Sequence, residues 1–256
     1  MKRIKKTFQN LKKSGRGALI PFTVIGYPDY GKSLEVVKTL ARSADMLELG
    51  LAFSDPIADG PTIQEADRVA LQGGINTDLA FRFIAEVRRF TQIPIGLLVY
   101  ANLIFQRGIG MFYSDAAKAG VDSVLVADLP VEESDEYVKA AEKAGVDTVF
   151  IISPLTDEAR MKMILEKTTG FAYLVSRLGV TGAKASLHKS ALELIRRARK
   201  HTVLPICVGF GISRPEHVRS VLAAGADGAI VGSAVVDRIR NDAEMEKYLK
   251  ELKAAT

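Results

Sequence analysis

The sequence has no tryptophan, a single cysteine and only three histidines. Cys207 cannot form an internal disulfide, and its apolar neighbours in LPICVGF predict a small buried side chain. His188, His201 and His217 do not have the spacing of metal ligands, so we expect no metal site. These scarcities disfavour disulfide-stapled folds and histidine-rich metal centres.

Long apolar runs are also missing. No run of about 18 apolar residues occurs, and no apolar segment follows the basic N-terminus, so we expect neither a membrane span nor secretion, and we place the protein in the cytoplasm. The formal net charge is +5, but lysine and arginine never alternate with aromatic residues in a binding stripe. Nucleic acid is therefore disfavoured as a partner.

What the sequence does contain is a repeating pattern of short, β-branched apolar runs. Eight occur, and they begin at Ala18, Asp45, Pro94, Val121, Val146, Phe171, Val203 and Asp227. The stretches between them carry apolar residues three to four positions apart, which predicts amphipathic helices. Strands that are apolar on both faces and alternate with helices favour a closed parallel (β/α)8 TIM barrel over a doubly wound open sheet. We predict that residues 1–256 form one such domain.

Two additions to the barrel are predicted. Ile4, Phe8 and Leu11 lie at helical spacing, so residues 2–14 should form an extra helix that covers the barrel floor. The connections after the second and sixth strands are longer than most, and both leave the C-terminal ends of strands, where barrel enzymes build their active sites. We expect these extended loops to act as lids.

The second predicted strand ends in a carboxylate, Glu48, within the apolar run MLEL. Apolar neighbours raise the pKa of a carboxyl group, which suits a residue that must donate and accept a proton near neutral pH. A structural ion pair with lysine or arginine is the alternative interpretation. Asp59 follows in FSDPIADGPTIQ, a loop segment that also holds Asp55 and whose aspartates would fit an ordinary turn. Because this loop leaves the barrel mouth that Glu48 faces, we predict that Glu48 and Asp59 flank one substrate.

Glycine-rich turns follow the last two predicted strands, in GFGIS and VGSAVV. Barrels often bind phosphate at these two places, with backbone N–H groups and the N-terminus of a short helix. Gly209 and Gly211 permit close approach of the backbone, and Gly232 and Ser233 open the last helix. The GVTG turn after the sixth strand is a further candidate. We therefore predict a phosphorylated substrate.

Lysine is missing from the ends of the predicted strands. Lys184 falls in a loop, so carbon–carbon cleavage through a Schiff base is disfavoured. The histidines do not cluster, which disfavours a metal-assisted aldolase. These exclusions leave acid–base chemistry by two carboxylates on a phosphate-anchored substrate, without a cofactor.

Several longer segments resemble one enzyme family. LELGLAFSDPIADGPTIQ, GLLVYANLIF, VDSVLVADLPVEES, YLVSRLGVTG, VGFGIS and IVGSAVV occur in the order and at the spacing of the tryptophan synthase alpha subunit, over nearly the whole chain. The resemblance implies retro-aldol cleavage of indole-3-glycerol phosphate to indole and glyceraldehyde 3-phosphate, in tryptophan biosynthesis. Ala52 stands where the family usually has proline, and AKASLHKSA after GVTG differs from the family.

The resemblance also implies roles for individual residues. Glu48 matches the glutamate that handles the proton at indole C3 and at the glycerol hydroxyl, and Asp59 matches the aspartate that stabilises charge at the indole N–H. The other implied substrate-positioning residues are Tyr173, Phe22, Ile63, Leu98, Tyr100, Leu125, Thr181, Phe210 and Ile230, and the implied phosphate-binding residues are Gly182, Gly211, Gly232 and Ser233. For the apolar members, core packing is the competing interpretation.

The same resemblance implies a partner. Members of the family pass indole to a beta subunit that carries pyridoxal phosphate, so we expect an alpha2beta2 complex and no cofactor in this chain. Asp55 and the PVEES segment match the family's interface. Two different functions stay open, namely that of another phosphate-binding barrel, such as indoleglycerol-phosphate synthase or a phosphoribosyl isomerase, and that of a catalytically silent subunit that only activates the beta partner. The position of Asp59, eleven residues after Glu48, argues for the lyase.

Overall fold

The computed structural model describes residues 2–175, 189–209 and 211–256. Its parallel strands occur at all eight places that the sequence predicts. They are Ala18–Val24 (β1), Leu47–Gly50 (β2), Ile95–Val99 (β3), Ser123–Val126 (β4), Asp147–Val149 (β5), Ile151–Ile152 (β6), Ala172–Val175 (β7), Ile206–Gly209 (β8) and Gly228–Val231 (β9).

The sheet closes on itself. Neighbouring strands follow the order β5-β4-β3-β2-β1-β9-β8-β7-β6, and β5 and β6 at its two ends are consecutive pieces of chain separated only by Phe150. β5 pairs with β4 and β6 pairs with β7, so the fifth predicted strand divides between its two neighbours. The predicted (β/α)8 barrel is confirmed, and the break at Phe150 is the one departure from its predicted strands.

Helices surround the barrel. They are Arg3–Lys13 (α1), Tyr30–Ser43 (α2), Pro61–Gln72 (α3), Thr77–Arg88 (α4), Ala101–Arg107 (α5), Ile109–Ala119 (α6), Asp135–Ala144 (α7), Glu158–Lys167 (α8), Lys189–Arg199 (α9), Pro215–Ala223 (α10), Ser233–Val236 (α11) and Asp242–Lys253 (α12), and a 3-10 turn spans Val131–Glu133. In the part of the chain that the structure describes, none of these helices has the length and apolar character needed to cross a membrane.

The extra N-terminal helix is confirmed. Ile4, Phe8 and Leu11 of α1 are buried, and the Phe8 and Phe171 rings lie 6.4 Å apart between centroids. These side chains form one cluster with residues inside the barrel, among them Cys207, which is fully buried as predicted. The helix therefore covers one end of the barrel and leaves the other end for the site.

The long connection after β2 contains more than a loop. Residues 51–60 form the loop, and two helices, α3 and α4, follow before β3 begins. The backbone N–H of Leu51 donates to the carbonyl of Leu98 at 2.9 Å, so the loop starts on the last rung of the β2–β3 ladder. The other predicted lid, the extended loop after the sixth strand, falls on residues 176–188, which lie outside the described residues.

Candidate active site

Glu48 lies inside the barrel wall. It belongs to β2 and is in register with Phe22 of β1 and Gly96 of β3. Only 4% of its surface is exposed. Burial raises the pKa of Glu48 to about 8, the nearby Asp59 carboxylate adds to the shift, and a hydrogen-bond interaction with Tyr173 opposes it. No lysine or arginine of the described residues pairs with Glu48, so the structure gives no support to the ion-pair interpretation.

Asp59 ends the loop that follows β2. Gly60 and Pro61 begin α3 immediately after it. The Tyr100 hydroxyl donates a 2.7 Å hydrogen bond to Asp59 Oδ2, and the Gln64 side chain donates to the Asp59 carbonyl at 2.9 Å. Burial raises the pKa of Asp59, and the Tyr100 hydrogen bond lowers it. The carboxylate is thus held by a side chain from the neighbouring strand end rather than by an Asx turn.

Both carboxylates open into one cavity of about 370 Å³ at the C-terminal end of the barrel. Its wall brings together ten of the residues singled out from the sequence, which are Glu48, Asp59, Tyr173, Phe22, Ile63, Leu98, Ile230, Gly211, Gly232 and Ser233. Apolar side chains lie around the two carboxylates, and the turns after β8 and β9 form another part of the wall. The arrangement provides proton-exchanging groups, apolar walls and polar turns in one chamber.

The remaining candidate residues lie elsewhere. Tyr100 is buried behind Asp59, and its ring stacks on Phe53 with centroids 5.0 Å apart. Leu125 packs in the barrel interior and is not part of the cavity wall. Asp55 lies in the exposed part of the loop, where its carboxylate accepts a 2.5 Å hydrogen bond from Ser54 Oγ. Thr181, Gly182 and Phe210 lie outside the described residues.

Position 209 requires glycine for a different reason from the one that the sequence suggested. A Cβ atom at Gly209 would lie 2.5 Å from the Tyr173 hydroxyl oxygen. The glycine therefore makes room for Tyr173, the side chain that interacts with Glu48. Gly211 does have a left-handed backbone, with φ of 82°, which favours glycine at the turn beside the cavity.

Another buried carboxyl group, Asp67, was missed by the sequence reasoning. It lies on α3, only 4% exposed. Burial and the charge of Asp59 raise the pKa of Asp67 to about 8, and a backbone hydrogen bond from Phe53 opposes the shift. The available signal was its place four residues after Ile63, on the apolar face of α3.

Seven further cavity residues were not singled out from the sequence: Thr62, Ile212, Ser213, Arg214, Ala234, Asp237 and Arg238. Four of them lie inside motifs that the sequence pointed to, and Arg214, Asp237 and Arg238 follow such motifs within two positions. Among the described residues, no group of three histidine, cysteine, aspartate or glutamate side chains is placed to hold a metal ion.

Comparison with known sequences identifies relatives over almost the full length. Residues 8–256 match the family model described as tryptophan synthase alpha chain. A tryptophan synthase alpha chain of Methanothermobacter thermautotrophicus is 52% identical over 223 residues, which are 87% of this chain and 83% of the relative. The alpha chain of Methanoregula boonei is 47% identical over 252 residues, which are 95% of each chain.

Solved structures give the same result for the fold. A structure of Mycobacterium tuberculosis tryptophan synthase superposes with a TM-score of 0.93 at 30% identity, over 99% of this chain and 98% of the other. A tryptophan synthase complex from Pyrococcus furiosus gives a TM-score of 0.86 at 41% identity, over 93% and 98% of the two chains.

Proposed function

The chain belongs to the tryptophan synthase alpha chain family, and on that premise we propose that Glu48 and Asp59 carry out its chemistry. As a member of the family it is an indole-3-glycerol-phosphate lyase of tryptophan biosynthesis. The family uses no cofactor in this subunit, because pyridoxal phosphate belongs to the beta subunit. The observation that carries the assignment of residues is that both carboxylates line one cavity.

Glu48 is the proton carrier of the proposed reaction. With a pKa of about 8, its carboxyl is largely protonated at neutral pH and can donate a proton to indole C3. The carboxylate that results takes the proton of the glycerol hydroxyl. The carbon–carbon bond then breaks, its electron pair returns to the indole ring, and the hydroxyl carbon becomes the aldehyde of glyceraldehyde 3-phosphate. Glu48 ends the cycle protonated, so no proton is gained or lost overall.

Asp59 stabilises the positive charge that forms on the indole ring when C3 is protonated. An ionised carboxylate near the indole N–H stabilises this charge most strongly in a cavity shielded from water, and Asp59 is only 8% exposed. The hydrogen bond from Tyr100 favours that ionised form. Tyr173 positions Glu48 through their shared hydrogen bond.

The rest of the cavity positions the substrate. We assign the indole ring to the wall made by Phe22, Ile63, Leu98 and Ile230, and the phosphate to the turns that contain Gly211, Gly232 and Ser233. The corresponding expectations for Leu125, Thr181, Gly182 and Phe210 remain proposals from the resemblance alone.

The partner is a tryptophan synthase beta subunit, as in the alpha2beta2 complex of the Pyrococcus furiosus relative. We propose that it binds the rim of the barrel mouth. Asp55 lies there, and Ile57, Phe105 and Leu155 follow strand ends at the same face with 77%, 68% and 75% of their surfaces exposed. Contiguous exposed apolar patches mark protein interaction surfaces, and we propose that these three side chains contribute to one. We further propose that the chain acts as a single domain in the cytoplasm, where its phosphorylated substrate is retained.

The first test is indole release from indole-3-glycerol phosphate by the purified chain, with and without a tryptophan synthase beta subunit. Slow release that the beta subunit accelerates is the expected result. Binding to the beta subunit without release under either condition would favour a catalytically silent subunit. An indoleglycerol-phosphate synthase or a phosphoribosyl isomerase on the same fold is excluded by the family to which the chain belongs.

A further inference from the structure

Arg214 lies on the wall of the active-site cavity, directly after the turn that contains Gly211. The residue precedes α10, but its side chain makes no capping hydrogen bond to that helix. Among the described residues, no carboxylate forms a salt bridge with its guanidinium. An arginine at a cavity wall without a protein partner is available to a ligand.

The backbone directly before Arg214 is held by two hydrogen bonds, both made by Ser213. The N–H of Ser213 donates to Nδ1 of buried His217 at 3.2 Å, and the carbonyl of Ser213 accepts the Tyr248 hydroxyl at 3.0 Å. His217 therefore serves a structural purpose as a hydrogen-bond acceptor. These two contacts fix the backbone next to Arg214 at the cavity wall.

The cavity has a second arginine, Arg238, whose guanidinium is already committed. It lies 4.3 Å from the Tyr248 ring centroid, donates to the Ala234 carbonyl at 2.7 Å and pairs with Glu244 at 3.4 Å. The cavity's Asp237 carboxylate accepts a hydrogen bond from Thr62 at 3.2 Å. Of the two cations at this wall, Arg214 is the one whose charge the described residues do not compensate.

We propose that Arg214 binds the phosphate group of the substrate, an inference that rests on the proposed phosphate subsite. The guanidinium presents a planar fork of N–H donors that matches two oxygens of a phosphate monoester. Backbone N–H groups at the glycine turns supply orientation, whereas Arg214 supplies the full positive charge. It is a binding residue distant from the bond that breaks, so it acts equally on ground state and transition state.

The test compares Arg214→Gln and Arg214→Lys with Arg219→Gln. Arg219 lies on α10, is exposed and pairs with Glu216 at 3.6 Å. Its replacement by glutamine changes the net charge by the same amount as Arg214→Gln, but at a residue that does not line the cavity. For indole release, Arg214→Gln should raise KM about fivefold to tenfold with kcat unchanged, and should weaken the salt dependence of KM. The KM of Arg214→Lys should lie between those of Arg214→Gln and the unchanged chain. The KM of Arg219→Gln should equal that of the unchanged chain.

Inorganic phosphate binding, measured by calorimetry, separates this inference from the proposed function because it needs no turnover. Phosphate binding that is weakened in Arg214→Gln but not in Arg219→Gln would support the inference even if the chain released no indole. Unchanged KM and unchanged phosphate binding in Arg214→Gln would overturn it, while normal indole release in the same experiment would leave the proposed function intact.

Discussion

The Tyr100 hydroxyl donates to Asp59 Oδ2 at 2.7 Å and accepts the backbone N–H of Ala58 at 3.1 Å. One hydroxyl group from the end of β3 thus holds both the carboxylate and the backbone of the loop after β2. A hydrogen bond to a charged group is worth about 1.5 to 3 kcal/mol. The charge state of Asp59 and the shape of its loop therefore depend on the same hydroxyl group.

We expect Tyr100→Phe to lower kcat for indole release about tenfold to a hundredfold, because it removes that hydrogen bond. The pKa of Asp59 should rise, so the acidic limb of the pH–rate profile should move to higher pH. Tyr113→Phe is the matched control, since Tyr113 is equally buried but packs against Phe112 away from the cavity. A profile for Tyr100→Phe that overlays the control would exclude this role of Tyr100.

The pH dependence of catalysis should report the protonation state of Glu48. Its pKa of about 8 means that the proton needed at indole C3 is present below that pH and absent above it. We expect kcat for indole release to fall as pH rises through about 8. Stopped assays of indole between pH 6 and 10 measure this limb. Constant activity up to pH 10 would show that Glu48 does not donate the first proton.

Asp67 should make the fold less stable in alkaline solution. A carboxyl whose pKa is higher in the folded state contributes stability that is complete below its unfolded pKa and is lost as pH rises through its folded value, here about 8. Between pH 6 and 9 this loss amounts to roughly 2 kcal/mol for one such group. Glu48 titrates in the same window, so Asp67→Asn should remove about half of the decrease.

Urea unfolding at the two pH values measures this effect. Glu65→Gln is the control, because Glu65 lies on the same helix, is exposed and has its pKa lowered by Arg68, outside the alkaline window. If Asp67→Asn lost as much stability as the unchanged chain between pH 6 and 9, Asp67 would be ionised in the folded protein at neutral pH.

Gly209→Ala should impair catalysis through Tyr173. The new Cβ would lie 2.5 Å from the Tyr173 hydroxyl oxygen, so the ring must shift and its interaction with Glu48 is disturbed. We expect a lower kcat and, because the Tyr173 interaction lowers the pKa of Glu48, an alkaline limb shifted upward. Gly110→Ala in α6 is the control, because its added Cβ meets nothing within 4 Å. Equal kcat values in the two variants would show that Tyr173 adapts without cost.

The repeating part of the fold follows from the sequence because it rests on local periodicity. Apolar runs predicted every strand, and the spacing of Ile4, Phe8 and Leu11 predicted α1. The break at Phe150 was not predictable, since Phe150 lies within VFII, a continuous apolar run. Nor was the second helix after β2, because a long connection does not reveal what it contains.

The site was predictable where a residue type conflicts with its surroundings. Glu48 in an apolar strand is such a conflict, and burial is what raises its pKa. Asp67 and Arg214 lie in stretches of ordinary helical and turn composition, and their importance depends on which side chains the barrel brings beside them. That information depends on the tertiary structure, so local sequence patterns do not contain it.

The most direct measurement of the central claim is indole release by Glu48→Gln, with binding to the beta subunit and to inorganic phosphate measured in the same preparation. The glutamine keeps the shape of the side chain and removes proton exchange. We expect release to fall by at least about a hundredfold while both binding constants stay unchanged. Release within a few-fold of the unchanged chain would contradict the account, because the proton would then pass through another group.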